Sequence, residues 1–289
     1  MIDTRSRWAA TLFAIGVLAI ATTGAAQTPQ RIVSLIPSVT EMIFAIGAGG
    51  RMVGVSNYDR FPPEVSSLTR VGGLLDPDVE QILALRPDLV VLYNTQIELK
   101  QQLDRLRVPY YSYEHRGLAD IAATMRAIGA RIGLAERSDR AAQQMERTIA
   151  DIRTARARGP HPRTMLVFGR EPSSLRNIEA SGGYGFLHDM LETAGGVNVF
   201  ADIKRQSVQA STEMILARAP EVIIELRYGD SAGSEPASRG LDVWKALPSV
   251  PAVKNRRLYA LFGNEFVVPG PRVVTAIERL VAVLHPETR

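Results

Sequence analysis

A twelve-residue segment occurs twice in this chain. Glu80-Gln-Ile-Leu-Ala-Leu-Arg-Pro-Asp-Leu-Val-Val91 returns as Glu213-Met-Ile-Leu-Ala-Arg-Ala-Pro-Glu-Val-Ile-Ile224, at a constant offset of 133 positions and without a gap. Each copy reads as a short helix, a proline that stops it, and an apolar β-branched run that predicts a buried strand. A duplicated helix–strand unit predicts two lobes of similar build. Each copy also opens on a glutamate, so two acidic points are expected in comparable places.

The 289 residues are enough for two ordinary domains, and 46% hydrophobic with 22% charged residues is the balance of a chain with real cores. A net charge of +4 does not describe a nucleic-acid polycation. Residues 1–26 have a basic start (Arg5, Arg7), an apolar stretch from Ala9 to Ala21 and a small-residue end, Gly24-Ala25-Ala26. That is the three-part pattern of a secretory signal peptide, with cleavage expected after Ala26. The rival reading, a membrane anchor, is disfavoured because the apolar stretch falls short of the roughly 20 residues that span a bilayer. The chain has no cysteine, so it is expected to rely on its cores although export usually permits disulfides. It also lacks the N-terminal Cys of exported lipoproteins. A free periplasmic protein, not inserted in the membrane after cleavage, is the expectation.

From Arg31 onward, apolar strands alternate with amphipathic helices. Ile32–Ile36, Met52–Val55, Leu89–Leu92 and Tyr110–Tyr113 read as strands, and helices are predicted near 40–47, 78–86, 98–107 and 118–132. Such alternation predicts an α/β fold with parallel sheets. Ser38-Val-Thr-Glu41 reads as a capping box, Gly47 as a helix end, and Asp76-Pro77 as a cap followed by proline at the first helical position. Residues 135–158 hold no Pro or Gly and place Ala141 or Ala142, Met145, Ile149 and Ile152 on one face. A single long helix is expected there, broken at Gly159-Pro-His-Pro162. The alternation then restarts with a strand at Met165–Phe168, a helix from Gly185 to Thr193, the second repeat copy, a strand at Leu258–Leu261 and a helix from Arg272 to Leu284. The expected organisation is a signal peptide over 1–26, an α/β lobe over 27–133, a linker helix over 134–160 and a second α/β lobe over 161–289.

Motifs of catalysis are scarce. His115, His161, His188 and His285 are scattered, without the HxxxH or HxH spacing of a transition-metal site. There is no GxSxG elbow, Walker A loop or dinucleotide fingerprint. Gly182-Gly-Tyr-Gly185 reads either as an anion cradle at a helix start or, more simply, as a tight turn. Tyr58, Tyr93 and Tyr228 each follow a predicted strand, where ligands of α/β sheets gather; each is equally readable as ordinary surface packing.

Arg31-Ile-Val-Ser-Leu-Ile-Pro-Ser-Val-Thr-Glu41, Val53-Gly-Val-Ser-Asn-Tyr58 with Phe61-Pro-Pro63, the twin segments, Gly195-Gly-Val-Asn-Val-Phe200 and Gly270-Pro-Arg272 resemble, in order and over nearly the whole chain after the leader, the periplasmic solute-binding proteins for cobalamin and ferric siderophores. The resemblance implies two lobes joined by one long helix, with a ligand held in the cleft between them and delivered to an ATP-driven ABC importer. It implies a monomeric carrier rather than an enzyme, with no cofactor or metal site of its own, the transported chelate carrying cobalt or iron. Glu80 and Glu213 match the glutamates that meet permease arginines in that family; the alternative is that each merely favours its helix N-terminus. Tyr58, Leu74, Leu75 and Tyr93 fall on cleft positions of the first lobe, and Gly169, Arg170, Ser207, Val208, Asn264, Glu265 and Phe266 on those of the second. The cobalamin branch lines its cleft with several tryptophans. Here the mature chain has only Trp244, in an expected surface helix, so cobalamin is the first expectation and a ferric siderophore stays open as the alternative. Arg170, Arg176, Arg227 and Arg272 would suit an anionic chelate, and haem through a Tyr or His ligand is a third option. An exported hydrolase or chelatase on the same scaffold is the alternative of another class; it would need clustered titratable groups in the cleft.

Overall fold

The structure is a computed structural model that describes residues 28–228 and 240–286; the expected signal peptide lies outside them. Strands β1 (Ile32–Ser34), β2 (Met52–Val55), β3 (Thr69–Arg70), β4 (Leu89–Tyr93) and β5 (Tyr110–Tyr113) form the first sheet in the order β3-β2-β1-β4-β5. Every pair is parallel. Helices α1 (Pro37–Ala45), α2 (Val79–Ala84) and α3 (Ile97–Arg105) are its crossovers, as the alternation predicts.

The second sheet uses β6 (Arg163–Gly169), β7 (Ile178–Ser181), β8 (Val197–Asn198), β9 (Ser207–Ala210), β10 (Val222–Arg227) and β11 (Leu258–Phe262). Its order is β11-β10-β6-β7-β9, with β8 beside the first residues of β6. This sheet corrects the expectation of two parallel ones, because β7 runs antiparallel to both β6 and β9. Connection length is the reason. Only residues 170–177, with no helix among them, join β6 to β7, and a parallel return needs a crossover of roughly a dozen residues or more.

Between the sheets run α4 (Ala119–Arg131) and α5 (Ala135–Arg156), the latter 22 residues long, about 33 Å at 1.5 Å per residue. Ser138, Ala142, Met145 and Ile149 form its buried stripe. Gly129 lets α4 come close, since a Cβ there would run into the Ser138 side chain. Helices α6 (Phe186–Thr193), α7 (Thr212–Arg218), α8 (Pro251–Lys254) and α9 (Val273–Leu284) complete the second lobe. Alternation along the strands divides the core. Ile32, Leu89 and Val91, like Val222 and Ile224 of the other lobe, join one apolar cluster with α4, α5, α6 and α9, whereas Val33 and Val90 face an outer layer over the first sheet and Ile223 one over the second. Strands buried on both faces are why the repeat carries an unbroken apolar run.

The two copies of the repeat fold alike down to single bonds. Ile82 and Ile215 are both fully buried. Arg86 (φ 48°) and Ala219 (φ 44°) both turn left-handed before Pro87 and Pro220. Arg31 donates from Nη2 to Leu85 O, and Arg163 from Nη2 to Arg218 O. Asp88 accepts from Arg31 N and Glu221 from Arg163 N.

Two expected caps are displaced. Helix α1 starts at Pro37 with Ile36 as its cap, so Ser38 and Glu41 form no capping box. Asp78, not Asp76, caps α2 through a bond from Gln81 N. Trp244, expected on the surface, is fully buried in a 3-10 turn, Leu241–Ala246.

Candidate functional site

The carboxyl edges of the two sheets meet at the seam between the lobes. After β2, Ser56 donates from N and Oγ to Asp59 Oδ2 (2.9 and 2.6 Å), tightening the turn that presents Tyr58. The Tyr58 ring lies against Gly73, where a Cβ would collide with it. Gln96 links this loop to β4: its Nε2 donates to Gly73 O (3.3 Å) and Leu74 O (3.1 Å), while Tyr93 N donates to its Oε1 (2.9 Å). The structure thereby brings together Tyr58, Leu74, Leu75 and Tyr93. Tyr58 is 66% exposed and Leu75 92%, so the surface they form is open.

From Tyr93 a chain of rings crosses to the second lobe. Tyr93 meets Tyr113 edge-on at 5.9 Å, Tyr113 stacks on His115 at 6.2 Å, and His115 meets Phe186 at 5.7 Å. Both His115 ring nitrogens are buried without a hydrogen-bond partner among the described residues, and burial pushes this imidazole below its ordinary pKa. Burial likewise raises the Tyr93 and Tyr113 hydroxyls. Polar contacts cross the seam as well. Arg272 binds Glu41 of α1 through Nη2 (2.6 Å) and Nε (3.0 Å), and its guanidinium lies 4.3 Å from the Phe61 ring centre.

In the second lobe a recess of about 710 Å³ opens at the ends of β6 and β10, with Gly169, Arg170, Glu225, Arg227 and Tyr228 among its lining residues. The Arg170 side chain is 6% exposed, and all five of its N–H groups are committed: Nε and Nη2 to Glu225, Nη1 to Glu171 O and Pro172 O, Nη2 also to Gly240 O. The other expected cleft residues fall on β9 and on the turn after β11. Ser207 pairs with Ser181 at the outer strand β9, and Val208 turns into the core. Phe266 is fully buried, and Glu265 is held by Arg272 and Arg279; Asn264 begins the same 3-10 turn, Asn264–Phe266. Of the remaining arginines, Arg176 pairs with Glu171 on an exposed arm.

Gln96, His115, Phe186 and Glu225 belong to the site without having been expected there. Glu225 left a signal: it directly follows the apolar run of the second repeat copy and precedes Leu226, and a charge inside a buried strand needs partners.

Glu80 and Glu213 occupy the first turns of α2 and α7, capped by Asp78 and Ser211. Both are exposed. Hydrogen bonds from Ser211, its own backbone and Thr212 hold the Glu213 carboxyl below its usual range. Because α2 leads into β4 and α7 into β10, both helix starts lie at the carboxyl edges of their sheets.

Residues 32–263 match the family described as Periplasmic binding protein. A Vitamin B12-binding protein of Yersinia pestis (strain Pestoides F) is 32% identical over 202 residues, 69% of this chain and 70% of its own length. Among solved structures, the periplasmic vitamin B12 binding protein of Vibrio cholerae is similar with a TM-score of 0.73 and 27% identity, over 89% of this chain and 97% of that one. The periplasmic heme-binding protein of Roseiflexus sp. RS-1 in apo form gives 0.75 and 28%, over 89% and 98%. The matched span takes in both sheets, the long helix and the recess, and the chain belongs to the periplasmic binding protein family.

Proposed function

We propose that the mature chain holds a metal-bearing chelate, cobalamin, between its lobes in the periplasm and delivers it to an ATP-driven ABC importer. The observation that carries this reading is the open surface of Tyr58, Leu74 and Leu75, fixed from behind by Gln96 and Gly73, at the seam that also holds the recess of the second lobe. A broad, mostly apolar surface with few fixed polar groups suits a large macrocycle better than a small polar solute. The relative named for vitamin B12 supports cobalamin among the chelates. Glu80 and Glu213 serve in this reading as docking points for the permease, since exposed charges at a rim chiefly set orientation and on-rate.

Titrating the purified mature chain with cyanocobalamin, a ferric hydroxamate, a ferric catecholate complex and haemin tests the assignment, by calorimetry and by fluorescence. Trp244 is the single tryptophan after the leader, and its Nε1 donates to Glu225 at the recess (2.7 Å), so its emission reports on the second lobe. Saturable binding of cyanocobalamin at lower concentration than the others is expected. A preference for a ferric complex or haemin would reassign the ligand, and binding of none would remove the carrier reading.

A further inference from the structure

One buried carboxylate, Glu225, faces two guanidiniums at the floor of the recess. Its Oε1 accepts from Arg170 Nε and Trp244 Nε1, both at 2.7 Å; its Oε2 accepts from Arg170 Nη2 (3.3 Å) and from Arg227 Nη2 (2.9 Å) and Nε (3.3 Å). Five donors on two oxygens exhaust what a carboxylate accepts. The other described residues lining the recess are uncharged, so among the described residues these three groups leave one formal positive charge there. Burial makes that excess matter, because water does little to screen a charge in such a setting.

The four arginines differ in what they can still offer. Arg170 has no N–H to spare, Arg176 is paired on an exposed arm away from the recess, and Arg272 is engaged with Glu41 and Glu265. Arg227 spends Nε and one N–H of Nη2 on Glu225, and no bond from its Nη1 is formed among the described residues. A guanidinium has five N–H groups, so among the described residues an end-on pair from Nη1 and Nη2 remains. Its side chain is 21% exposed against 6% for Glu225. Phe262, whose ring centre is 5.4 Å from the Arg227 guanidinium carbon, steadies the plane. Glu225 fixes the angle of the fork, and Arg170 and Trp244 fix Glu225.

We propose that Arg227 is the anion-reading residue of the recess, taking a phosphate or carboxylate oxygen carried on the periphery of the bound chelate. This rests on the carrier reading above and adds which part of the ligand enters the second lobe. The shared chemistry is a singly charged oxyanion that accepts two parallel N–H bonds. In a cobalamin it is the phosphodiester of the nucleotide loop; in an iron chelate it is a carboxylate arm.

The test compares ligands that differ at that group. Wild type, Arg227→Gln and Arg227→Lys are titrated with cyanocobalamin, with dicyanocobinamide, which lacks the phosphodiester, with ferric citrate and with an uncharged ferric trihydroxamate. Losing a charged, desolvated hydrogen-bond pair corresponds to roughly a ten- to hundredfold loss of affinity. Arg227→Gln is expected to lose that much toward whichever anion-bearing ligand the wild type binds, and little toward its uncharged counterpart, with Arg227→Lys recovering only part. The near-ultraviolet spectrum and emission of Trp244 verify that the Glu225 network survives substitution. Equal loss toward charged and uncharged ligands, or no loss at all, overturns the assignment while leaving the carrier reading in place. Wild-type protein that binds none of the four overturns both.

Discussion

Glu41 and Asp59 are carboxylates enclosed where the lobes meet, 4% and 0% exposed. Burial raises the pKa of both; for Glu41 the Arg272 bonds oppose the rise, and for Asp59 the Ser56 bonds and the Arg70 charge do. Asp59 Oδ1 has no hydrogen-bond partner among the described residues. A carboxyl whose folded pKa lies above its ordinary 3.8 binds its proton more tightly in the folded chain. Its contribution to stability is therefore complete below that ordinary value and is lost as pH rises through the folded pKa. Asp59→Asn removes the titration while keeping the shape. The variant is expected to lose less melting temperature than wild type as pH is raised from about the ordinary carboxylate pKa toward neutrality; matching slopes would show that Asp59 does not carry the effect. Neither carboxylate could be placed from the sequence. Glu41 looks like the far end of a capping box until Pro37 is seen to start the helix two residues earlier, and its real partner, Arg272, is 231 positions away. Trp244 was hidden in the same way: the carboxylate that buries its indole N–H lies on a strand 19 residues before it.

Helix α5 shows what a single element does for the pair of lobes. It touches α4 along one side and α6 and α9 along the other, and its buried stripe belongs to one apolar cluster that runs from Ile32 in the first sheet to Ile224 in the second. Opening the lobes as rigid halves would uncover part of that cluster, at about 25 cal/mol for each Å² of apolar surface. The Arg272–Glu41 pair would have to part as well. Ligand binding is accordingly expected to leave the radius of gyration from small-angle scattering unchanged within error, whereas a clear contraction on saturation would mean that the shared core parts. Periodicity made α5 legible because its stripe of Ala142, Met145 and Ile149 is long and uninterrupted. The same reasoning located β1, β2, β4, β5, β6, β10 and β11 from their apolar runs. It missed β7 and β9: Ile178–Ser181 and Ser207–Ala210 are four residues each, too short and mixed to stand out, and the antiparallel turn from β6 into β7 follows from connection length rather than from composition. Ser207 and Val208, expected at the cleft, lie on β9.

Across the whole molecule the repeat imposes a near equivalence of the two lobes that reaches the capping bonds, the left-handed residues before the prolines and the arginines clamped to each helix end. A favourable charge at a helix N-terminus, worth about 0.3–1 kcal/mol, accounts for either glutamate alone. It does not require that both stand exposed at the carboxyl edges of their sheets, the edge that also carries Tyr58 and the recess. Reversing both charges, Glu80→Lys with Glu213→Lys, is expected to leave chelate affinity as it was, since among the described residues neither lines the recess or bonds to Tyr58, Leu74 or Gln96. Uptake of labelled cobalamin by cells that depend on this protein should fall to background, with each single reversal giving part of the loss. The two readouts separate the roles. Weakened binding by the purified double variant would move the glutamates into the ligand site, and undiminished uptake would reduce them to helix-end charges, leaving the permease to recognise some other part of the rim.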